Sequence, residues 1–448
     1  MDATEIFIVP AFVLLRTEDM ITPYGHPVYM YLCGRCVCIE NSRYVEFESY
    51  VPDENCFRFD PDCYARKTNL LIFDPASGRL DPDRACTIEK EIRIIPTEER
   101  TPMELQYKNG IESTRNRWAR FWKGESDRPL LYSIRPKSGV APIDAPNPYD
   151  CAFGDIDPLI DQVLGWASTH EFLGDSVPFY MITFAPDHFA ALLGAEIQEG
   201  EGTKTNWIDP CLTNLSDAEI TFQREGYWWK RTLECIEKFR QRCDGKLIIS
   251  GTHYQGGLDC LAAMYGTQNL LMDMAIAPES VHRALLQVDA ALAEARKALA
   301  EALDIASWGS VNRFGMYSSG MIDVPQCDIS CMISPAMFDE FELPSLTKEI
   351  ATIDASIYHL DGPDALQHTE SLCAIDRLDM IQWMPGEGYY DDDWTLLNKK
   401  IDSLGKGQIF QSYYKFKASD IKKIWDSYTS RKLFFHVKPE VLAELPWS

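Results

Sequence analysis

The chain has 448 residues, 46% of them apolar, and 43 Lys and Arg against 68 Asp and Glu give a formal net charge of −25. That length suffices for one large barrel and a smaller module. An acidic chain without basic runs excludes nucleic acid and anionic membrane as expected partners, since both require clustered positive charge. There is no apolar run of about 18 residues, and the start Met1-Asp2-Ala3-Thr4-Glu5 lacks a basic leader. Neither secretion nor membrane spanning is therefore expected, and the predicted compartment is the cytoplasm. The 14 cysteines are scattered; Cys235, Cys260 and Cys373 fall in helical-looking segments, where a thiol behaves as a small hydrophobe. Free thiols rather than a disulfide framework follow.

Taken in chain order, residues 1–110 read as a β-rich segment. Short apolar runs at 6–15, 28–33, 44–51, 70–73 and 92–95 alternate with breakers such as Pro52-Asp53-Glu54-Asn55 and Asp74-Pro75-Ala76-Ser77-Gly78. A C-x-x-C lies at Cys33 and Cys36, without the second pair that a structural zinc site needs, so packed strand cysteines are expected there. Residues 103–122 predict a helix. From about residue 128 the rhythm changes to strand, loop and long helix. Strands are predicted at 177–184, 246–250, 313–317, 356–359, 380–383, 408–411 and 433–436. Helices are predicted at 227–243, from Pro278 to about 302, at 335–350 and at 419–428. Such alternation predicts an α/β fold with a TIM-type (β/α)8 barrel over residues 111–448, or a doubly wound sheet. No glycine-rich nucleotide loop follows any strand, which argues against the dinucleotide and P-loop classes.

Polar residues gather where the predicted strands stop. Asp187 and His188 follow one, His253 and Tyr254 another, His359 and Asp361 a third, Gln382 and Trp383 a fourth, and His436 ends the last. In a parallel barrel those ends face the active site. His359-x-Asp361 places an imidazole and a carboxylate on one side of an extended segment, suited to an acid–base pair or to two metal ligands. The bland alternative has Asp361 opening an Asp-Gly-Pro turn and His359 merely packing. Cys327 and Cys331 flank Asp328 at i, i+4 spacing on a segment that reads as loop, and a metal role there is the lesser reading. Asp391-Asp392-Asp393 reads as a solvated loop or helix start. Trp207, Tyr227, Trp228 and Trp229 serve a pocket wall or a core equally well.

From about residue 115 to the end, the sequence resembles the uroporphyrinogen decarboxylase-like superfamily, which includes cobalamin-dependent methyltransferases. The resemblance is carried by Arg117-Trp118-Ala119-Arg120-Phe121-Trp122 through Asp127-Arg128-Pro129, by Ala185-Pro186 with Leu192-Leu193-Gly194, and by the run from Asp259 to Gly266. It continues in Asp328-Ile329-Ser330-Cys331-Met332-Ile333-Ser334-Pro335, Tyr358-His359-Leu360-Asp361-Gly362 and Ile381-Gln382-Trp383-Met384-Pro385-Gly386. It implies a TIM-type barrel with its site at the strand ends. Methyltransferase members bind zinc through a His-x-Cys pair and a later cysteine. His359 matches, but Asp361 stands where the first cysteine would be, and no cysteine follows Cys373. Two expectations stay open: a site of His359 and Asp361 with His253 or His436, a harder donor set than thiolates, or no metal at all. Neither the arginine-rich signature for porphyrinogen carboxylates nor the Asp-x-His-x-x-Gly corrinoid motif is present. A corrinoid would come from a separate protein.

The expected function is methyl transfer between a small substrate and a corrinoid protein. His359, Asp361 and Gln382 would be catalytic, with His253, Tyr254, Trp383, Asp187 and His188 binding substrate. A decarboxylase or other lyase acting on a small carboxylic acid is the alternative enzyme, and a non-catalytic barrel binding protein is the third reading. A homodimer is compatible with all three.

Overall fold

The computed structural model describes residues 104–200 and 205–447 with their side chains, and before residue 104 only the backbone of seven strands. The chain divides into two compact units, Met1–Pro102 and Met103–Ser448. In the first, β1 (Glu5–Val9), β2 (Phe12–Ile21), β3 (Pro27–Cys33), β4 (Arg35–Glu40) and β5 (Arg43–Glu46) form an antiparallel sheet in sequential order. β6 (Asn69–Asp74) and β7 (Arg79–Thr87) form a separate antiparallel pair. Cys33 ends β3 and Cys36 lies in β4, opposite Leu32; their side chains lie outside the described residues.

The second unit is mixed α/β. Its strands are β8 (Leu130–Pro136), β9 (His170–Gly174), β10 (Phe179–Ile182), β11 (Glu196–Gln198), β12 (Trp207–Asp209), β13 (Ile248–Gly251), β14 (Ser310–Val311), β15 (Tyr317–Ser318), β16 (Ile322–Asp323), β17 (Ala355–Asp361), β18 (Met380–Met384), β19 (Gly407–Phe410) and β20 (Leu433–His436). A seven-stranded sheet runs in the order β16-β17-β18-β19-β20-β8-β9, parallel throughout except for the last pair. Helices connect its parallel neighbours, among them Leu343–Ala351, Thr369–Cys373, Thr395–Ser403 and Ala418–Ser427. Parallel pairing requires such crossovers, and they bury both sheet faces.

Backbone hydrogen bonds do not run around the unit as a closed ring; β10 and β13 pair only with each other. Side chains bridge the interruptions. Ser250 Oγ donates to the Val311 carbonyl at 2.5 Å, joining β13 to β14, and Ile322 N donates to Ser310 Oγ at 2.9 Å, joining β14 to β16. Beside β8, Leu131 N donates to Asp175 Oδ2 at 2.9 Å and Ser133 N to Ser176 Oγ at 2.9 Å. One buried cluster nevertheless draws Leu130, Ile248, Val311, Ile322, Ile357, Met380, Ile409 and Phe434 from successive strands, with Trp118 and Phe121 of the helix Ile111–Trp122 beneath them. The strands thus share one interior, a layout compatible with a TIM-like fold.

Several elements depart from the sequence reading. The first helix starts at Ile111 rather than 103, after Gly110 in the left-handed region. Of the expected strand 313–317 only Tyr317 is in a strand, β15; residues 313–316 lie in the turn between β14 and β15, where Gly315 has φ 76°. The helix expected at 335–350 contains a π-helical stretch, Phe338–Glu342, which ends two residues before Pro344. Proline has no N–H to continue the i→i−4 ladder, and the widened turn absorbs the gap. No helix among the described residues is long and apolar enough to cross a membrane.

Candidate functional site

Strand alternation decides which side chains reach the interior. On β17, Ala355, Ile357, His359 and Asp361 share one face; the first two belong to the interior cluster. On β18 the same face carries Met380 and Gln382, and parallel register sets Gln382 beside His359. An apolar floor therefore carries a polar layer at the C-terminal strand ends. His359 Nδ1 is hydrogen-bonded to Gln382 Oε1, while Gln382 Nε2 donates to the Trp383 carbonyl at 2.9 Å and to Gln411 Oε1 at 2.8 Å. With both amide protons committed to acceptors, Oε1 is the atom that faces the imidazole. His359 Nδ1 must then carry the proton, leaving a lone pair on Nε2.

That lone pair lies 3.8 Å from Asp361 Oδ2. Asp328 completes the group: one ligand atom each from Asp328, His359 and Asp361 lies within 4.8 Å of the others, the one such cluster found among the described residues. Backbone pairing brings it there. His359 N donates to the Pro325 carbonyl at 2.9 Å, and Gln326 forms a parallel bridge with His359. Asp259, fully inside the protein, fixes the turn by accepting from Asp328 N at 2.7 Å and Ile329 N at 3.2 Å. Burial above all, with the negative charge of Asp361 adding to it, raises the Asp328 pKa. Burial and the charge of Asp328 push Asp187 up to about 6. Acids crowded in this way favour a bound cation.

The donor set, one imidazole nitrogen and two carboxylates, suits a divalent ion that accepts N and O ligands, and the Gln382 contact orients the imidazole as an outer partner of a metal-bound histidine does. Among the described residues no cysteine joins the cluster: Cys327 is buried, and Cys331 Sγ donates to the Asp328 carbonyl at 3.2 Å.

The other expected site residues divide. His253 Nε2 accepts from Arg313 Nη1 at 3.1 Å, so its proton is on Nδ1; burial first, then the charge of Arg313, holds it neutral. Its one lone-pair nitrogen is occupied, and it is not part of the metal cluster. Nor is His436, whose Nε2 donates to the Phe314 carbonyl at 2.9 Å while its ring stacks on Tyr132. His188 is wholly buried, accepting from Phe184 N at 3.3 Å and bonded to Thr232 Oγ1 at 3.2 Å, with burial lowering its pKa to about 3. It supports the core instead of lining the mouth. Tyr254 is buried against Phe189. Trp383, one residue from Gln382, points to the opposite, helix-covered face, edge-on to Trp394, and so cannot wall the interior. Trp228 and Trp229 belong to the same outer core, whereas Trp207 and Tyr227 are exposed.

Sequence reasoning assigned no role to Asp328, Gln326, Gln411 or Arg313. The run Pro325-Gln326-Cys327-Asp328 follows a strand of only two residues, too short to show a period. A parallel bridge to a distant strand leaves no local signature.

No family model matches the chain, and no curated protein matches it in sequence. Among solved structures it is similar to a methyltransferase from Methanosarcina mazei, with a TM-score of 0.50 and 11% identity over 75% of this chain and 95% of that one. At that identity the likeness is one of fold.

Proposed function

We propose that the protein is a methyltransferase of the uroporphyrinogen decarboxylase-like kind, moving a methyl group between a small substrate and a corrinoid carried by a separate protein. The observation that carries this reading is the His359 imidazole, locked by Gln382 with its Nε2 lone pair toward Asp328 and Asp361 at the strand ends. The fold shared with a methyltransferase supports it. A divalent ion such as zinc, held by these three residues, would supply a Lewis acid for the substrate heteroatom. The chain's own groups do the rest. Nε2 of His359 can accept a proton or orient a donor, Gln382 maintains the tautomer, and Asp187, with a pKa near 6, can hold a proton at mildly acid pH. Protonating or polarising the leaving heteroatom makes its methyl group more electrophilic.

His359→Ala is expected to abolish methyl transfer in an assay with the partner corrinoid protein while the circular dichroism spectrum stays unchanged. Retained activity would remove His359 from the mechanism. The raised pKa of Asp187 also suits a proton donor to a carbanion, as a lyase needs. Carbon dioxide released without dependence on a corrinoid would favour that second reading.

A further inference from the structure

Arg313 differs from three other arginines drawn into this unit. Arg296 meets Asp323 at 2.5 Å and Glu349 at 2.7 Å; Arg117 and Arg128 both meet the buried Asp175, at 2.6 and 2.7 Å. Arg313 meets no carboxylate within ion-pair distance among the described residues. Its Nη1 donates to the neutral His253 Nε2 at 3.1 Å, its Nη2 donates to Gln326 Oε1 at 2.7 Å, and its Nε is buried without a partner. The neighbouring acids are spoken for or held off. Asp323 belongs to Arg296, and Gln326 stands between Arg313 and Asp328, donating to both Asp328 oxygens at 3.0 Å.

A guanidinium withdrawn from water without a counter-charge is costly, and an anionic ligand would offset that cost. The turn that holds Arg313 is built to stay in place: Asn312 Oδ1 accepts from Phe314 N at 3.0 Å and from Met316 N at 3.1 Å. His253 adds a second donor, because its Nδ1 carries a proton and is buried with no partner. Both flank the mouth, one glutamine side chain from the Asp328–His359–Asp361 cluster.

We propose that Arg313 anchors a carboxylate-binding subsite, so that the small molecule entering this mouth is a monocarboxylate whose far end reaches His359. This rests on the mouth being the active site of the proposed methyltransferase, and it names the substrate class. A carboxylate matches the planar fork of a guanidinium. A single cation among Asp187, Asp328 and Asp361 suits one negative charge, whereas a polycarboxylate would set its other groups against those acids.

The test uses ligand-observed NMR on the full chain, with acetate and benzoate as probes and acetamide and benzamide as their uncharged counterparts. The wild type is expected to bind each acid at least tenfold more tightly than its amide, Arg313→Gln to lose that preference, and Arg313→Lys to keep part of it. Equal binding of acid and amide by the wild type overturns the proposal, and so does a preference that survives in Arg313→Gln. The wild-type comparison decides the matter even if the variants fail to fold. Because binding is read without turnover, a carboxylate-selective mouth in a protein that transfers no methyl group would sustain this inference and refute the proposed reaction. Methyl transfer undiminished in Arg313→Gln would do the reverse.

Discussion

Replacing Gln382 by methionine tests the arrangement on which the site depends. The substitution keeps the volume of a fully buried side chain but removes three neutral hydrogen bonds, to His359, Gln411 and the Trp383 carbonyl. A neutral hydrogen bond contributes about 1 kcal/mol net, and a buried partner left unmade costs about 1–3 kcal/mol. The Trp383 carbonyl retains the Tyr413 hydroxyl, and Gln411 is half-buried and can turn to water, so only the His359 Nδ1 proton is orphaned. The loss of stability should be about 2 kcal/mol. The larger effect falls on the imidazole: losing an outer partner of this kind typically lowers metal affinity or activity about 10–100-fold. Two-bond 1H–15N spectra of protein labelled in its eight histidines, with His359→Ala for assignment, read the tautomer directly. The wild type should show His359 protonated on Nδ1 with Nε2 unprotonated, and Gln382→Met should show a mixture. A wild-type ring protonated on Nε2 would refute the reasoning, because the lone pair would then face away from the carboxylates.

Other outcomes follow from the same contacts. Asp175→Ala strips the shared carboxylate from Arg117 and Arg128 and orphans Leu131 N, so urea denaturation should show a loss of about 3 kcal/mol; a loss below 1 kcal/mol would mean that water replaces the carboxylate. For His188, the folded pKa of about 3 lies below the ordinary 6.5. The unfolded chain thus binds the extra proton first, and stability present above pH 6.5 is lost as pH falls toward 3, by at most about 5 kcal/mol. His188→Gln should flatten the dependence of the urea midpoint on pH across that window, and an unchanged slope would clear His188 of it. Asp361→Cys restores the His-x-Cys pair, and competition with a chromophoric chelator should show zinc bound at least about tenfold more tightly than by the wild type. Unaltered affinity would place the metal site away from residue 361.

Much of the scaffold was legible because its signals are local. The helix Tyr227–Cys243 and the strand Leu433–His436 occupy the predicted residues, and β17 and β18 extend theirs by a few at the ends. Apolar periodicity and turn residues act over a few positions, and the sequence displays them directly. The face on which His359, Asp361 and Gln382 lie also follows from alternation, which likewise turns Trp383 to the other side.

What the sequence by itself determined, then, is the alternation of strand and helix and the polar ends of β17 and β18. Only the tertiary structure decided their company. Asp328 reaches His359 because Gln326 pairs with a strand more than thirty residues downstream, and Arg313 is left without a carboxylate among the described residues because Asp323 is held by Arg296. His188, which looked like a site residue, was drawn into the core by Thr232 and Phe184. Each of these outcomes is a contest among groups distant along the chain for a limited number of partners. Burial makes an unpaired charge or donor expensive, and which partner wins is settled only when the strands have closed around them.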